Sequence, residues 1–479
     1  GVHHTVLGSA ARAGGLLRSV FCSTFVLMCA EPSTTHVFAP NAGLRYLFID
    51  FNAYFAAVEQ HDHPELRGRP VIVAPLASEH TSAIAVSYEA RPYSIKRGTN
   101  ITEARALCPC IAVMPARHDR YVHIHKKLIA EIERHLPLVK VYSVDEAAFR
   151  LNRSEATAAA ALPVAHAVRR GIAENVGPSL RASIGLAPTR LLAKLAAESQ
   201  KPDGLMVFAA EDLPGKLVDM PLTDIPGVGP GMSVRLAKAG INDFLSLWNL
   251  QPKQARAIWG GVTGERFWYA LHGYEVEEPE TKKSMIGHSR VLSREHENPD
   301  GARIVARALL LKAASRLRHH DMRASSLSVS VRLRPDGRWE GARRFPYSEN
   351  SFRFLKLFDE LWDEFVVAQR KQPRGERLRC GAVTVYLHGL AGVGSEKVMQ
   401  TDLFAPPSPD DDRQARLWRA IDTINSDPGH KFARLGGAAG EAAGSHKHVT
   451  LARQQGLALN YLGAKIAFSR VPEEAEFLY

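Results

Sequence analysis

The sequence predicts an α+β chain of several domains, and three observations lead there. Between Arg45 and Ser199 short apolar runs alternate with stretches whose apolar residues recur at helical spacing. Residues 211–280 read as helical with Gly turns, whereas 281–390 alternate strands and helices again and are strongly basic. At 479 residues the chain is also too long for one hydrophobic core.

Arg45 to Asp50 (RYLFID) reads as a buried strand that delivers Asp50 at its C-terminal end. Ala53 to Gln60 has helical spacing, and Pro64 and Gly68 break it before a second strand, Pro70 to Ala74. A basic, turn-rich stretch from Tyr88 to Asn100 leads to Ile101 to Leu107 and then to an amphipathic helix from about Arg120 to His135. A strand at Val139 to Ser143 and another at Ala147 to Leu151 flank Asp145 and Glu146. Helix Ala158 to Glu174, strand Arg181 to Gly185 and helix Arg190 to Ser199 complete the alternation. Ile225 to Gly229 (IPGVG) opens the helical region, which ends near Glu280. The basic module has strands near Met285 to Leu292, Ser325 to Leu333, Arg338 to Tyr347 and Cys380 to Leu387, with helices near Ala302 to His320 and Ser351 to Ala368. From about Ala391 the chain is rich in Pro, Gly and Asp and reads as a tail of limited order, with a helical piece at Arg413 to Ser426.

The net charge is +11, and residues 281–390 alone hold 22 Lys and Arg against 12 Asp and Glu. A basic excess confined to one segment is the footprint of phosphate-backbone binding. The five cysteines form no C-x-x-C pair and have no His at zinc-finger spacing, so a reducing cytoplasm and ordinary thiols are expected, including Cys108-Pro109-Cys110. Residues 19–30 are apolar but too few to span a bilayer as a helix. They are read as part of an N-terminal extension, with no membrane association.

Phosphoryl transfer by two metal ions requires several carboxylates around a site about 4 Å across, because the two cations repel unless anions surround them. Magnesium, a hard ion, prefers oxygen ligands. A sheet that placed the strand ending in Asp50 beside the break at Asp145-Glu146 would gather three such groups.

These residues carry a resemblance. Ile49 to Glu59 (IDFNAYFAAVE) resembles the opening motif of the Y-family DNA polymerases, particularly their DNA polymerase IV branch, and Ser143 to Ala147 (SVDEA) is similar to the family's second acidic motif. Val86 to Gly98, Ser183 to Gly204 and Ile225 to Gly229 follow in the family's order, so the resemblance covers about residues 44–390. It implies a right-hand polymerase: a ferredoxin-like palm (44–56 and 122–210), small fingers (57–121), a helix-hairpin-helix thumb (211–280), an α+β little finger (281–390) and a C-terminal tail (391–479), preceded by the extension (1–43).

The resemblance further implies that Asp50, Asp145 and Glu146 ligate two magnesium ions, with the backbone carbonyl of Phe51 as another ligand. Tyr88, Arg91 and Lys194 match the positions that hold the incoming deoxynucleoside triphosphate, a chemistry suited to an Arg fork, a Lys point charge and a hydroxyl donor. Phe55 matches the ring that excludes a ribose 2′-hydroxyl, and neighbouring Tyr54 reads as core. Asn52 stands where the family often has an acid, Ser94 where it commonly has Gly, and Thr189-Arg190 where it commonly has Asn-Lys.

Gly227 and Gly229 would let backbone N–H groups approach a DNA phosphate. Lys282, Lys283, Arg332 and Arg334 would line a sheet face against primer-template DNA, and Gln400, Leu403 and Phe404 resemble the peptide that docks on a sliding clamp. The expectation is thus a monomeric, cytoplasmic, template-directed polymerase of low fidelity, acting in translesion synthesis. The alternative is a non-catalytic scaffold between clamp and DNA; the intact acids count against it.

Overall fold

The computed structural model describes residues 40–75, 81–277, 283–370, 379–398 and 409–426. Among them, no helix is long and apolar enough to cross a membrane.

Strand β1 (Tyr46–Phe51) runs into helix α1 (Tyr54–Asp62). A small module then carries β2 (Val71–Ala74), β3 (Ala85–Val86), α2 (Ile101–Leu107) and β4 (Ala112–Pro115). The chain returns through α3 (His118–Glu133), β5 (Leu138–Val141), β6 (Glu146–Arg150), α4 (Ala158–Gly171), β7 (Ala182–Ala187), α5 (Arg190–Ser199) and β8 (Leu205–Val207). The central sheet has the order β5-β6-β1-β7-β8, with β1, β5, β6 and β7 mutually antiparallel where they pair and β8 parallel to β7. That connectivity is the ferredoxin-like β-α-β-β-α-β order with one added strand.

All six residues of β1 are buried because both faces of the sheet are covered. Leu47, Ile49 and Phe51 face the core shared with α3 and α4, whereas Tyr46 and Phe48 belong to the core formed with α5. Hence the strand reads as a continuous apolar run rather than an alternation. Residues 71–115 make a three-stranded sheet, β3-β2-β4, with its own small core around Ile72, Ile95 and Ile101. Strands β4 and β8 escape sequence reading because they are four and three residues long and only partly buried, which leaves no periodic signal.

Helices α6 (Pro230–Lys238), α7 (Phe244–Trp248), α8 (Pro252–Trp259) and α9 (Val262–Leu271) follow, and their buried Leu236, Phe244, Leu247 and Leu271 continue the core of α5. The last module comprises β9 (Met285–Val291), α10 (Pro299–His319), β10 (Met322–Arg334), β11 (Arg338–Ser348), α11 (Ser351–Arg370), β12 (Arg379–His388) and β13 (Ala391–Gly392). Its main sheet is antiparallel in the order β11-β10-β12-β9, with α10 and α11 on one face.

The tail expected from Ala391 is in part an ordered helix, α12 (Pro409–Ser426), longer than the piece read from sequence. Trp418 and Ile421, one turn apart, are buried. Arg318, itself buried, bonds Asp422 at 2.5 Å, and Arg419 bonds Glu349 at 2.8 Å. The helix therefore docks on the basic module, because two apolar side chains share a face with residues that satisfy a buried guanidinium.

Candidate active site

The cross-strand register builds the site. Asp50 pairs with Glu146 of β6 on one side and with Ser183 of β7 on the other. Directly paired residues of antiparallel strands project to the same face, so all three side chains emerge on the face that α5 covers. Gly185 sets how closely α5 approaches: a Cβ there would lie 1.9 Å from the carbonyl oxygen of Ala193. The close fit brings Lys194 and Glu198, one turn apart on α5, over the acids.

Carboxylate oxygens of Asp50, Glu146 and Glu198 lie within 4.8 Å of one another. Two lysines answer them. Lys194 Nζ donates to both oxygens of Glu146, at 2.7 and 2.8 Å, and stands 3.7 Å from Glu198. Lys201 Nζ donates to Asp50 Oδ2 at 2.6 Å. Burial, reinforced by the charges of Asp145 and Glu146, pushes the Asp50 carboxyl up to about 7 against the pull of Lys201. Burial raises Asp145 and Glu198 as well, with Glu146 adding to both. For Lys201 burial works downward, but Asp50 and Glu198 outweigh it and its pKa is raised.

Asp145 lies at the β5–β6 turn, where its carbonyl accepts from the Phe51 N–H at 2.8 Å. Its carboxylate accepts from the Ser143 hydroxyl and does not join the three-carboxylate group. The Phe51 ring is buried on the opposite side of the sheet.

The three residues matched to triphosphate binding divide. The Arg91 guanidinium sits 3.6 Å from the Tyr88 ring centroid, and Tyr88 is close enough to Lys201 to affect its charge. Lys194 is instead engaged with the acids. Ser94, where the resemblance had Gly, is left-handed at φ 61°, the conformation Gly adopts without strain. Phe55 stacks on Tyr121 at 4.1 Å, and the Tyr121 hydroxyl donates to buried Glu59 at 2.6 Å. Phe55 and Tyr54 are both buried in the same core.

Residues 49–198 match the impB/mucB/samB family and residues 283–403 match that family's C-terminal domain. The chain is 34% identical over 408 residues to the DNA polymerase IV of Moorella thermoacetica, across 82% of this chain and 96% of that one. This chain belongs to the Y family of DNA polymerases. It is accordingly a DNA-directed DNA polymerase. The DNA polymerase IV of Halorhodospira halophila is 31% identical over 294 residues, across 60% of this chain and 81% of that protein. A solved Y-family DNA polymerase chimera of Dbh and Dpo4 shares the fold, with a TM-score of 0.60 at 22% identity, over 73% of this chain and 99% of that chain.

In this Y-family chain the outer face of the β9–β12 sheet carries Ser326, Ser328, Ser330, Thr384 and Ser289 in register, with Arg332 and Arg338 exposed at one end. Arg334 is exposed too and leans on Glu297 at 3.3 Å. Lys283 is exposed beside His320, while Lys282 lies outside the described residues. Gly227, left-handed at φ 93°, and Gly229 are exposed on either side of Val228, which is buried together with Ile225 and anchors the turn. Gln400, Leu403 and Phe404 also lie outside the described residues.

Sequence reading missed Glu198 and Lys201. The only local signals were the i,i+4 spacing from Lys194 to Glu198 and a Lys in the turn just past the helix.

Proposed function

We propose that this polymerase adds deoxynucleotides to a primer 3′ end by a two-metal mechanism, and that it copies past damaged template bases at low fidelity. The observation that carries the reading is the Asp50–Glu146 cross-strand pair, with Asp145 at the adjoining turn and Glu198 above. The donor set is all carboxylate, which suits magnesium, and the Asp50 carboxyl is raised first by burial and then by Asp145 and Glu146, a cost to its charged form that a divalent cation would relieve. Two magnesium ions held there would activate the primer hydroxyl and offset charge on the leaving pyrophosphate. Asp50, Asp145 and Glu146, with the Phe51 carbonyl, are the proposed ligands. Tyr88, Arg91 and Lys201 hold the triphosphate, and Lys194, paired with Glu146, keeps that carboxylate in place.

Duplex primer-template lies against the hydroxyl-rich face of the little finger and the glycine turn of the thumb. The Ser and Thr hydroxyls, with Tyr386 and His388 in the same register, offer hydrogen bonds to the backbone, and the arginines at the edge supply charge. A sliding clamp, bound through Gln400, Leu403 and Phe404, is the further partner proposed.

Extension of a labelled primer with magnesium and the four deoxynucleotides tests the reading against the scaffold alternative, which expects DNA binding without product. The DNA face has its own test. Replacing both Arg332 and Arg334 by Ala should weaken duplex binding for all sequences alike and reduce the slope of log affinity against log salt by about 2. An unchanged slope would place the duplex elsewhere.

A further inference from the structure

We infer that Asn52 is a positioning residue that fixes the loop carrying Lys201, and through it the cation that meets the incoming triphosphate. The inference rests on the reading of Lys201 as a triphosphate contact. Asn52 stands where the family often has an acid, and nothing in the metal chemistry uses it.

Its side chain is buried and fully engaged. Asn52 Oδ1 accepts the backbone N–H of Asp203 at 2.7 Å, and Nδ2 donates to the Ser183 hydroxyl at 3.0 Å. Ser183 Oγ in turn lies 3.4 Å from both the Gln200 carbonyl and the Gly204 N–H. The loop Gln200 to Gly204 is thus tied at both ends to Ser183, near the start of β7, and through Asp203 to Asn52, just past the end of β1. Its turn is tight, since a Cβ on Gly204 would lie 1.7 Å from the Gln200 oxygen, and Asp203 is left-handed at φ 55°. Arg169 holds the far side by donating to the Asp203 carbonyl at 2.8 Å.

Lys201 is a long, half-exposed side chain whose direction depends on where this turn is held. The Asp203 amide is two residues away from it, and Asn52 is two residues from Asp50, the group Lys201 meets. One side chain therefore couples the strand bearing an acid to the loop bearing its counter-charge. An acid at position 52 would accept the same amide, which accounts for either residue serving there.

Single-nucleotide incorporation by the full chain tests this. Asn52→Ala should raise KM for the deoxynucleotide about tenfold, the scale of losing an orienting contact behind a ligand, with a smaller change in kcat and unchanged primer-template Kd. Asn52→Asp should restore most of the KM, because its carboxylate still accepts from Asp203. The decisive arm is the double mutant: Asn52→Ala should add nothing to the defect of Lys201→Ala if it acts through that lysine. Losses that multiply, or Asn52→Asp as impaired as Asn52→Ala, would overturn the inference. Should Asn52→Ala fail to fold, Asn52→Ser, whose hydroxyl falls short of the Asp203 amide, is read the same way. A wild-type chain that extends no primer sinks the polymerase reading itself, whereas a wild-type KM in Asn52→Ala sinks only the positioning role.

Discussion

Glu146→Gln should reduce primer extension by about 10³-fold or more, the scale set by loss of one preorganised charge contact at a reacting centre, while primer-template affinity stays at the wild-type value. The substitution keeps the shape of the side chain and its place opposite Asp50, so the sheet has no reason to change. It removes the charge that Lys194 now grips with both carboxylate oxygens. Asp50→Asn should behave alike, with Lys201 left facing a neutral amide. Duplex affinity should not follow, because the face proposed for DNA belongs to another module. Extension near the wild-type rate in either variant would remove these acids from the chemistry.

The second large effect concerns the sugar. Phe55→Ala should lower the preference for deoxynucleotides over ribonucleotides by about 100-fold, or about 2.7 kcal/mol. Phe55 is buried and firmly held: it stacks on Tyr121, whose hydroxyl is fixed by Glu59, and Arg117 bonds the same carboxylate at 2.6 Å. A ring so braced cannot swing aside for a 2′-hydroxyl. Because the ring is also core, its loss costs about 3 kcal/mol of stability, so total activity is the wrong measure. The ratio of ribonucleotide to deoxynucleotide incorporation cancels the fraction of folded enzyme. An unchanged ratio would mean that the sugar is checked elsewhere.

Much of this architecture is legible in the chain. The run Arg45 to Asp50 announces a strand ending in an acid, and its unbroken apolarity follows from helices on both sheet faces. The acids at 145 and 146 are legible as a break between two strands. Their different fates are not, since the Ser143 hydroxyl turns one aside while the register faces the other toward α5. Glu198 and Lys201 were hidden for a similar reason. They reach the site only because Gly185 lets a helix lie flush on the sheet, a property of two segments in contact and of neither alone. The last helix was legible from Arg413 onward; its first turn, Pro409 to Asp412, was obscured by a Pro- and Asp-rich composition that reads as tail, and its docking through Trp418 and Ile421 was not foreseen.

The crowding of acids has a consequence for heat resistance. Asp145 is half-buried, its pKa is raised by desolvation and by Glu146, and its side-chain bond is to the Ser143 hydroxyl rather than to a cation. In the unfolded chain the same carboxylate is solvated and freed from Asp50, with only Glu146 still beside it in the chain. At neutral pH its charge therefore opposes folding. Asp145→Asn, which can still accept from Ser143, should make the metal-free protein harder to melt, by on the order of 1 kcal/mol, or about 4–8 °C for a module of the palm's size. A scanning-calorimetry trace with the palm transition at or below its wild-type temperature would show that the repulsion is not felt. A higher one would mean that selection for copying DNA has held this fold below the thermal limit its sequence could reach.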